Sequence, residues 1–177
     1  MQFETARLCI RLLGAADAAA LLEIQNTDFV LRYNGMEKWD ADKMRAYLEK
    51  KKGSLFGLFL REGGELIGEI GLTQDSLRYD VGSIELNYYL GEGHSRCGYM
   101  TEALAAVLRY LLTDGGYTLV TARSFAPNLA SRRLLEGLGF RCDGVLRQCV
   151  KGYGGVIFDD ALYSVTREEF EAANDRT

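Results

Sequence analysis

The sequence predicts a mixed α/β domain, a sheet with helices packed on its faces. Three observations predict it. Stretches with apolar residues at every second position are interspersed with stretches repeating every three or four, in the order strand, two helices, three strands, helix, strand, helix, two strands and a tail. That order is neither a bundle nor a strict alternation of strand and helix. The 177 residues are the length of one domain with a substantial core. No repeat, low-complexity tract or linker interrupts them and the only proline is Pro127, so residues 1–177 read as one continuous domain.

Each element has its own signal. Leu8, Ile10 and Leu12 share one face of the opening strand, and Arg7, Cys9 and Arg11 the other. An Ala-rich helix follows over 17–25. Asp40 is the N-cap of a second helix running to Lys52, with Met44, Tyr47 and Leu48 at helical spacing and Gly53 at its end. Strands over 55–60 and 66–73 flank Glu62-Gly63-Gly64-Glu65, a hairpin turn, and a third strand runs over 83–90. Leu104, Val107, Leu108 and Leu111 mark an amphipathic helix over 100–113, closed by Gly115-Gly116. A strand over 119–125, a helix over 129–138 ending at Gly139, and strands over 145–150 and 158–165 complete the sheet. Thr166 with Glu169 forms the capping box of a last helix.

Composition narrows the function. Hydrophobic residues at 47% and charged residues at 26% fit a globular protein, and no apolar run reaches the roughly 18 residues a membrane span needs. The first residues lack a basic segment followed by an apolar one, so the chain reads as cytoplasmic. A formal charge of -4 gives no global basic field, so neither nucleic acid nor membrane is expected as a partner. Cys9, Cys97, Cys142 and Cys149 have neither zinc-site spacing nor disulfide-scaffold density and read as reduced, mostly packing residues. His94 is the only histidine, so no metal and no Ser-His-Asp plan is expected.

One stretch carries chemistry. A strand ending at Leu90 feeds the loop Gly91-Glu92-Gly93-His94-Ser95-Arg96-Cys97-Gly98, which opens a helix at Tyr99-Met100-Thr101-Glu102. The first turn of a helix leaves backbone N–H groups unpaired and carries partial positive charge, so it attracts phosphate. Gly98 lets the backbone approach, and Arg96 adds a charged, bidentate donor. The loop lacks the Gly-Lys-Ser/Thr of a P-loop and the third glycine of a dinucleotide fingerprint. An ordinary strand-to-helix connection is the plain alternative.

The run Gly98-Tyr99-Met100-Thr101-Glu102-Ala103-Leu104 resembles the coenzyme A loop and helix of the GNAT N-acetyltransferase superfamily. Asn128-Leu129-Ala130-Ser131 with Leu134-Leu135-Glu136-Gly137-Leu138-Gly139-Phe140 resembles its second acyl-CoA segment. Glu4-Thr5-Ala6-Arg7-Leu8, Gly144-Val145-Leu146-Arg147, and Gly155 with Asp159 before Leu162-Tyr163 are similar to the ribosomal-protein N-terminal alanine and serine acetyltransferase branch. The sequence departs from the pattern at Arg96, where the usual loop has glycine, at Gly93, where it has Gln or Arg, and at Leu135, where many members have Tyr. Val150 stands where the branch can carry a glutamate base.

The resemblance implies a mostly antiparallel sheet of about seven strands with helices on both faces, acetyl-CoA as donor, no metal, and an amine acceptor, either a protein N-terminus or a small molecule. It implies that strands 84–90 and 119–125 splay apart, with main-chain N–H groups at Leu86 and Tyr88 binding the pantetheine arm and the oxyanion. Arg96, Cys97, Gly98, Tyr99, Met100, Thr101, Asn128 and Ser131 are the expected coenzyme contacts, and Ser131 the acid for the departing thiolate. Glu85 is the candidate base, alternating with apolar neighbours, and its plain alternative is a solvated carboxylate. Asn128 is equally natural as an N-cap and Glu102 as a dipole-stabilising residue. A monomer or homodimer is expected. A non-catalytic acyl-CoA sensor and a dinucleotide-binding oxidoreductase are the competing classes.

Overall fold

A computed structural model describes residues 2–174. Its strands are β1 (Gln2–Glu4), β2 (Leu8–Leu12), β3 (Leu55–Leu60), β4 (Leu66–Thr73), β5 (Ser83–Leu90), β6 (Leu119–Phe125), β7 (Arg141–Lys151) and β8 (Ile157–Thr166). Its helices are α1 (Ala18–Gln25), α2 (Asp28–Leu31), α3 (Ala41–Lys50), α4 (Tyr99–Leu112), α5 (Leu129–Gly137) and α6 (Arg167–Asn174). The strands form one eight-stranded sheet, β1-β2-β3-β4-β5-β6-β8-β7. Pairing is antiparallel for β1–β2, β2–β3, β3–β4, β6–β8 and β7–β8, and parallel for β5–β6.

The sheet thus has one strand more than the seven expected. The addition is β1, three residues too short to show an alternation. Two other features went unread. α2 is a single turn, capped by the Thr27 hydroxyl, which accepts from the Val30 N–H. β7 begins at Arg141, four residues earlier than expected, because its first residues are exposed on both faces and carry no period-two signal.

The chain divides into two compact units. The first comprises residues 2–71, Tyr88–Leu104 and Gly152–Val156; the second comprises Leu72–Asn87, Ala105–Lys151 and residues 157–174. In the first unit α1 and α3 pack on the sheet through Leu21, Met44 and Leu48 against Leu55, Phe59 and Leu66. Each such side chain, fully buried, contributes about 1.5–3 kcal/mol relative to exposure. Asp40 caps α3 as the sequence predicts, its carboxylate accepting from the Lys43 N–H at 2.8 Å. Gly68 permits the close approach of β4 to β5, since a Cβ there would stand 2.5 Å from the Tyr89 carbonyl oxygen.

In the second unit β5 and β6 pair only from Ser83↔Leu119 to Leu86↔Ala122, whereas β6 pairs with β8 as far as Phe125↔Asp160. Ile84, Leu86, Val120, Ala122, Ala161, Tyr163 and Val165 are the buried apolar residues of these strands, and Thr121, Ser124 and Asp160 the buried polar ones. The reciprocal Thr166 and Glu169 hydrogen bonds form the expected capping box at α6.

Candidate active site

In the first unit, a short 3-10 turn at Glu92–His94 delivers the chain to Gly98 and α4. Gly98 has φ +80°, and, its chain neighbours aside, Nη2 of Arg7 is the only atom of the described residues within 4 Å of the position its Cβ would take, at 3.3 Å. The backbone before the helix is therefore approached at Gly98 by a cation alone, which suits an anion seated on the first-turn amides. Arg96 also lies in the left-handed region, at φ +61°. A conformation that favours glycine is thus adopted here by a side-chain-bearing residue. Arg96, Cys97 and Thr101 are exposed, Tyr99 is half-buried, and Met100 is buried, so Met100 offers only its main chain.

Arg7 organises this turn from 95 residues upstream of Glu102. Its Nε donates to Glu102 Oε2 at 2.7 Å, its N–H to Glu102 Oε1 at 2.9 Å, and its Nη1 to the Cys97 carbonyl at 2.8 Å. Its guanidinium also covers the Tyr99 ring at 4.3 Å. Burial pushes the Glu102 carboxyl up, but hydrogen bonds from Thr5 and Arg7 outweigh this and hold it below the usual carboxylate range. Glu102 is thus a structural anchor. Arg7 and Glu102 neutralise one another, so the helix mouth presents no net negative charge to an anion seated on the first-turn amides, and Arg7 keeps Nη2 beside Gly98.

In the second unit, Glu85 is half-buried, and burial raises its pKa while the charge of Arg123 opposes the rise. Arg123 donates through Nε to Asp160 Oδ2 at 2.6 Å. The Leu86 side chain is buried, leaving its main chain for any ligand. On α5, Asn128 caps the helix, its Oδ1 accepting from the Ser131 N–H at 3.2 Å, and Ser131 is half-buried. Leu135 is fully buried and has no polar atom to offer. Val150 pairs with Phe158 in the β7–β8 ladder.

A polar cluster the sequence did not reveal lies in the first unit. Glu69, only 1% exposed, accepts from the Tyr47 hydroxyl at 2.9 Å and the Tyr89 hydroxyl at 3.3 Å. Burial pushes its carboxyl up to about 7, against the opposing pull of both hydroxyls and Lys51. The sign available was an acid inside the otherwise apolar run Leu66-Ile67-Gly68-Glu69-Ile70-Gly71-Leu72. Tyr89 is accordingly turned inward, and Tyr88 is half-buried.

The cysteine reading needs correcting. Only Cys9 packs against a core, while Cys97, Cys142 and Cys149 are exposed. A cleft of about 630 Å³ opens in the second unit between Arg78, Tyr79, Thr118 and Arg167, and none of the expected site residues lines it. No helix among the described residues is long and apolar enough to cross a membrane.

Residues 7–141 match the family described as acetyltransferase (GNAT) domain. The chain belongs to the GNAT acetyltransferase family. This acetyltransferase is 32% identical over 175 residues to uncharacterized N-acetyltransferase YoaA of Bacillus subtilis (strain 168), covering 93% of this chain and 96% of that one. Its fold is similar to that of a GNAT-family acetyltransferase from Bacillus anthracis, with a TM-score of 0.85 at 23% identity, covering 95% and 99% of the two chains. It is also similar to ribosomal-protein-S5-alanine acetyltransferase from Vibrio fischeri, with a TM-score of 0.83 at 16% identity over 96% and 98%. At those identities the structural likeness is one of fold. The family match and the relatives make the protein an acyl-CoA-dependent N-acetyltransferase, and acetyl-CoA is the donor its family uses.

Proposed function

We propose that this acetyltransferase works as one domain that transfers the acetyl group of acetyl-CoA directly to a primary amine, a protein N-terminal α-amine or a small-molecule amine, in a ternary complex in the cytoplasm. The observation that carries the reading is the turn at Gly98, with its positive φ, leading beside Arg7 into the first-turn amides of α4. The main chain from Arg96 to Thr101 grips the diphosphate. Amides of β5 at Leu86 and Tyr88 hold the pantetheine arm and the oxyanion. Glu85 takes the proton of the acceptor nitrogen as that nitrogen bonds to the thioester carbonyl carbon. Ser131 donates to the sulfur as the carbon–sulfur bond breaks. The raised pKa of Glu85 supports its part, because a base is most effective when its pKa approaches the working pH. The segments at Glu4–Leu8 and Gly144–Arg147 support a place near the ribosomal-protein branch.

Calorimetry tests the anchor. Coenzyme A should bind the wild type, and Gly98→Glu should weaken binding at least tenfold by placing bulk and negative charge against the diphosphate. Equal affinity in a folded variant counts against the placement. Ser131→Ala should lower turnover far more than coenzyme affinity, read by thiol release beside calorimetry. An equal fall in both would make Ser131 a binding residue.

A further inference from the structure

One face of the second unit's sheet is charged. In-register residues of neighbouring strands share a face, and Glu85 pairs with Thr121, Thr121 with Ser164, Arg123 with Leu162, and Phe125 with Asp160. The Thr121 hydroxyl donates to Asp75 and the Ser164 hydroxyl to Asp143, which brings two more carboxylates to that face. Arg78 bridges those two aspartates. Four carboxylates, those of Asp75, Glu85, Asp143 and Asp160, stand against the two guanidiniums of Arg78 and Arg123. The excess of two negative charges is half the net charge of the whole chain.

Asp160 is the unusual member. It is 2% exposed and gives Oδ2 to Arg123, yet its Oδ1 is buried with no hydrogen-bond partner. A buried carboxylate oxygen without a donor is rare in folded proteins, and a ligand N–H would satisfy it. Beside it Phe125 and Phe158 stack at 4.8 Å, an apolar surface suited to methylene groups. Arg123 offsets the charge of Asp160 at Oδ2 and also reaches Cys149 Sγ at 3.3 Å, so what Asp160 offers a ligand is the unpartnered Oδ1, on a face that keeps its negative excess.

We propose that the acceptor is an aliphatic polyamine, whose reacting nitrogen is presented to Glu85 and whose distal ammonium is held by Asp160. This rests on the reading of Glu85 as the base. Strand geometry separates the two α-carbons by roughly 16 Å, four residues along and two strands across, so one nitrogen cannot serve both carboxylates. A long, flexible chain with a charge near each end can. A peptide is less well matched, because β6 is laddered on both sides from Leu119 to Ala122 and leaves only Arg123 to Phe125 free to pair on the side away from β8, whereas charge is offered along the whole face.

The test is thiol release from acetyl-CoA with a monoamine, a diamine, a triamine, a lysine-rich peptide and a neutral peptide at constant ionic strength. The triamine should exceed the monoamine in kcat/KM at least tenfold, mainly through KM. Asp160→Asn should collapse that ratio at least tenfold, with coenzyme binding by calorimetry reporting a folded protein. If Asp160→Asn does not fold, Asp143→Asn on the exposed rim should reduce the ratio two- to fivefold. Equal kcat/KM for monoamine and triamine, or a peptide preferred over both, overturns the proposal while leaving the acetyltransferase reading intact. Coenzyme binding with no turnover of any amine overturns both.

Discussion

A carboxyl sealed between two tyrosines resists ionisation, and at Glu69 folding becomes coupled to pH. Its folded pKa of about 7 lies above the 4.5 of an exposed glutamate. Between these values the folded chain keeps a proton that the unfolded chain has lost, so this group favours the fold below pH 4.5 and progressively opposes it as pH rises to 7. The loss is on the order of 3 kcal/mol. Glu69→Gln should flatten that slope, and urea midpoints at pH 5 and pH 8 will show it. Alternation could not reveal this residue, because β4 is apolar on both faces and period two does not say which face is sealed. Arg96 offers a second test. Its left-handed backbone disfavours any residue but glycine, so Arg96→Gly should raise stability by a few tenths to about 1 kcal/mol. The same change should weaken coenzyme binding severalfold, so melting temperature and affinity should move in opposite directions. The departure from glycine was plain in the sequence, but the left-handed conformation of Arg96 was not.

Among the elements, those with long periods were read to within a residue or two. α4 buries Leu104, Val107, Leu108 and Leu111, each 0–1% exposed, as its spacing requires. β1, α2 and the start of β7 were missed because three or four residues, or residues exposed on both faces, produce no period. The Arg7–Glu102 clasp escaped for another reason, since contacts between distant segments leave no local signature. At the mouth of α5, Asn128 was legible as both cap and ligand, and substitution can separate the two. Asn128→Ala should cost about 1 kcal/mol in chemical denaturation. Asn128→Asp preserves the cap, so its stability should hold while coenzyme affinity falls if the side chain meets the coenzyme.

For the whole molecule, the division into two units had no linker to betray it, because the chain passes between them inside β4, β5 and α4 and at the two ends of the short turn between β7 and β8. A ligand that binds only the folded state should stabilise the entire protein by mass action. At a hundredfold excess of coenzyme over its Kd the gain is about 2.7 kcal/mol, or roughly 5–10 °C in Tm for a chain of this size. Differential scanning fluorimetry against coenzyme concentration measures it. The outward-facing cysteines bear on any such work. Cys97, Cys142 and Cys149 present three sulfhydryls to solvent, so a chromogenic disulfide dye will titrate the enzyme itself before it registers released product. The same reactivity makes a footprint available: shielding of Cys97 by donor, while Cys142 and Cys149 still colour the dye, would report occupancy of the loop without any acceptor present.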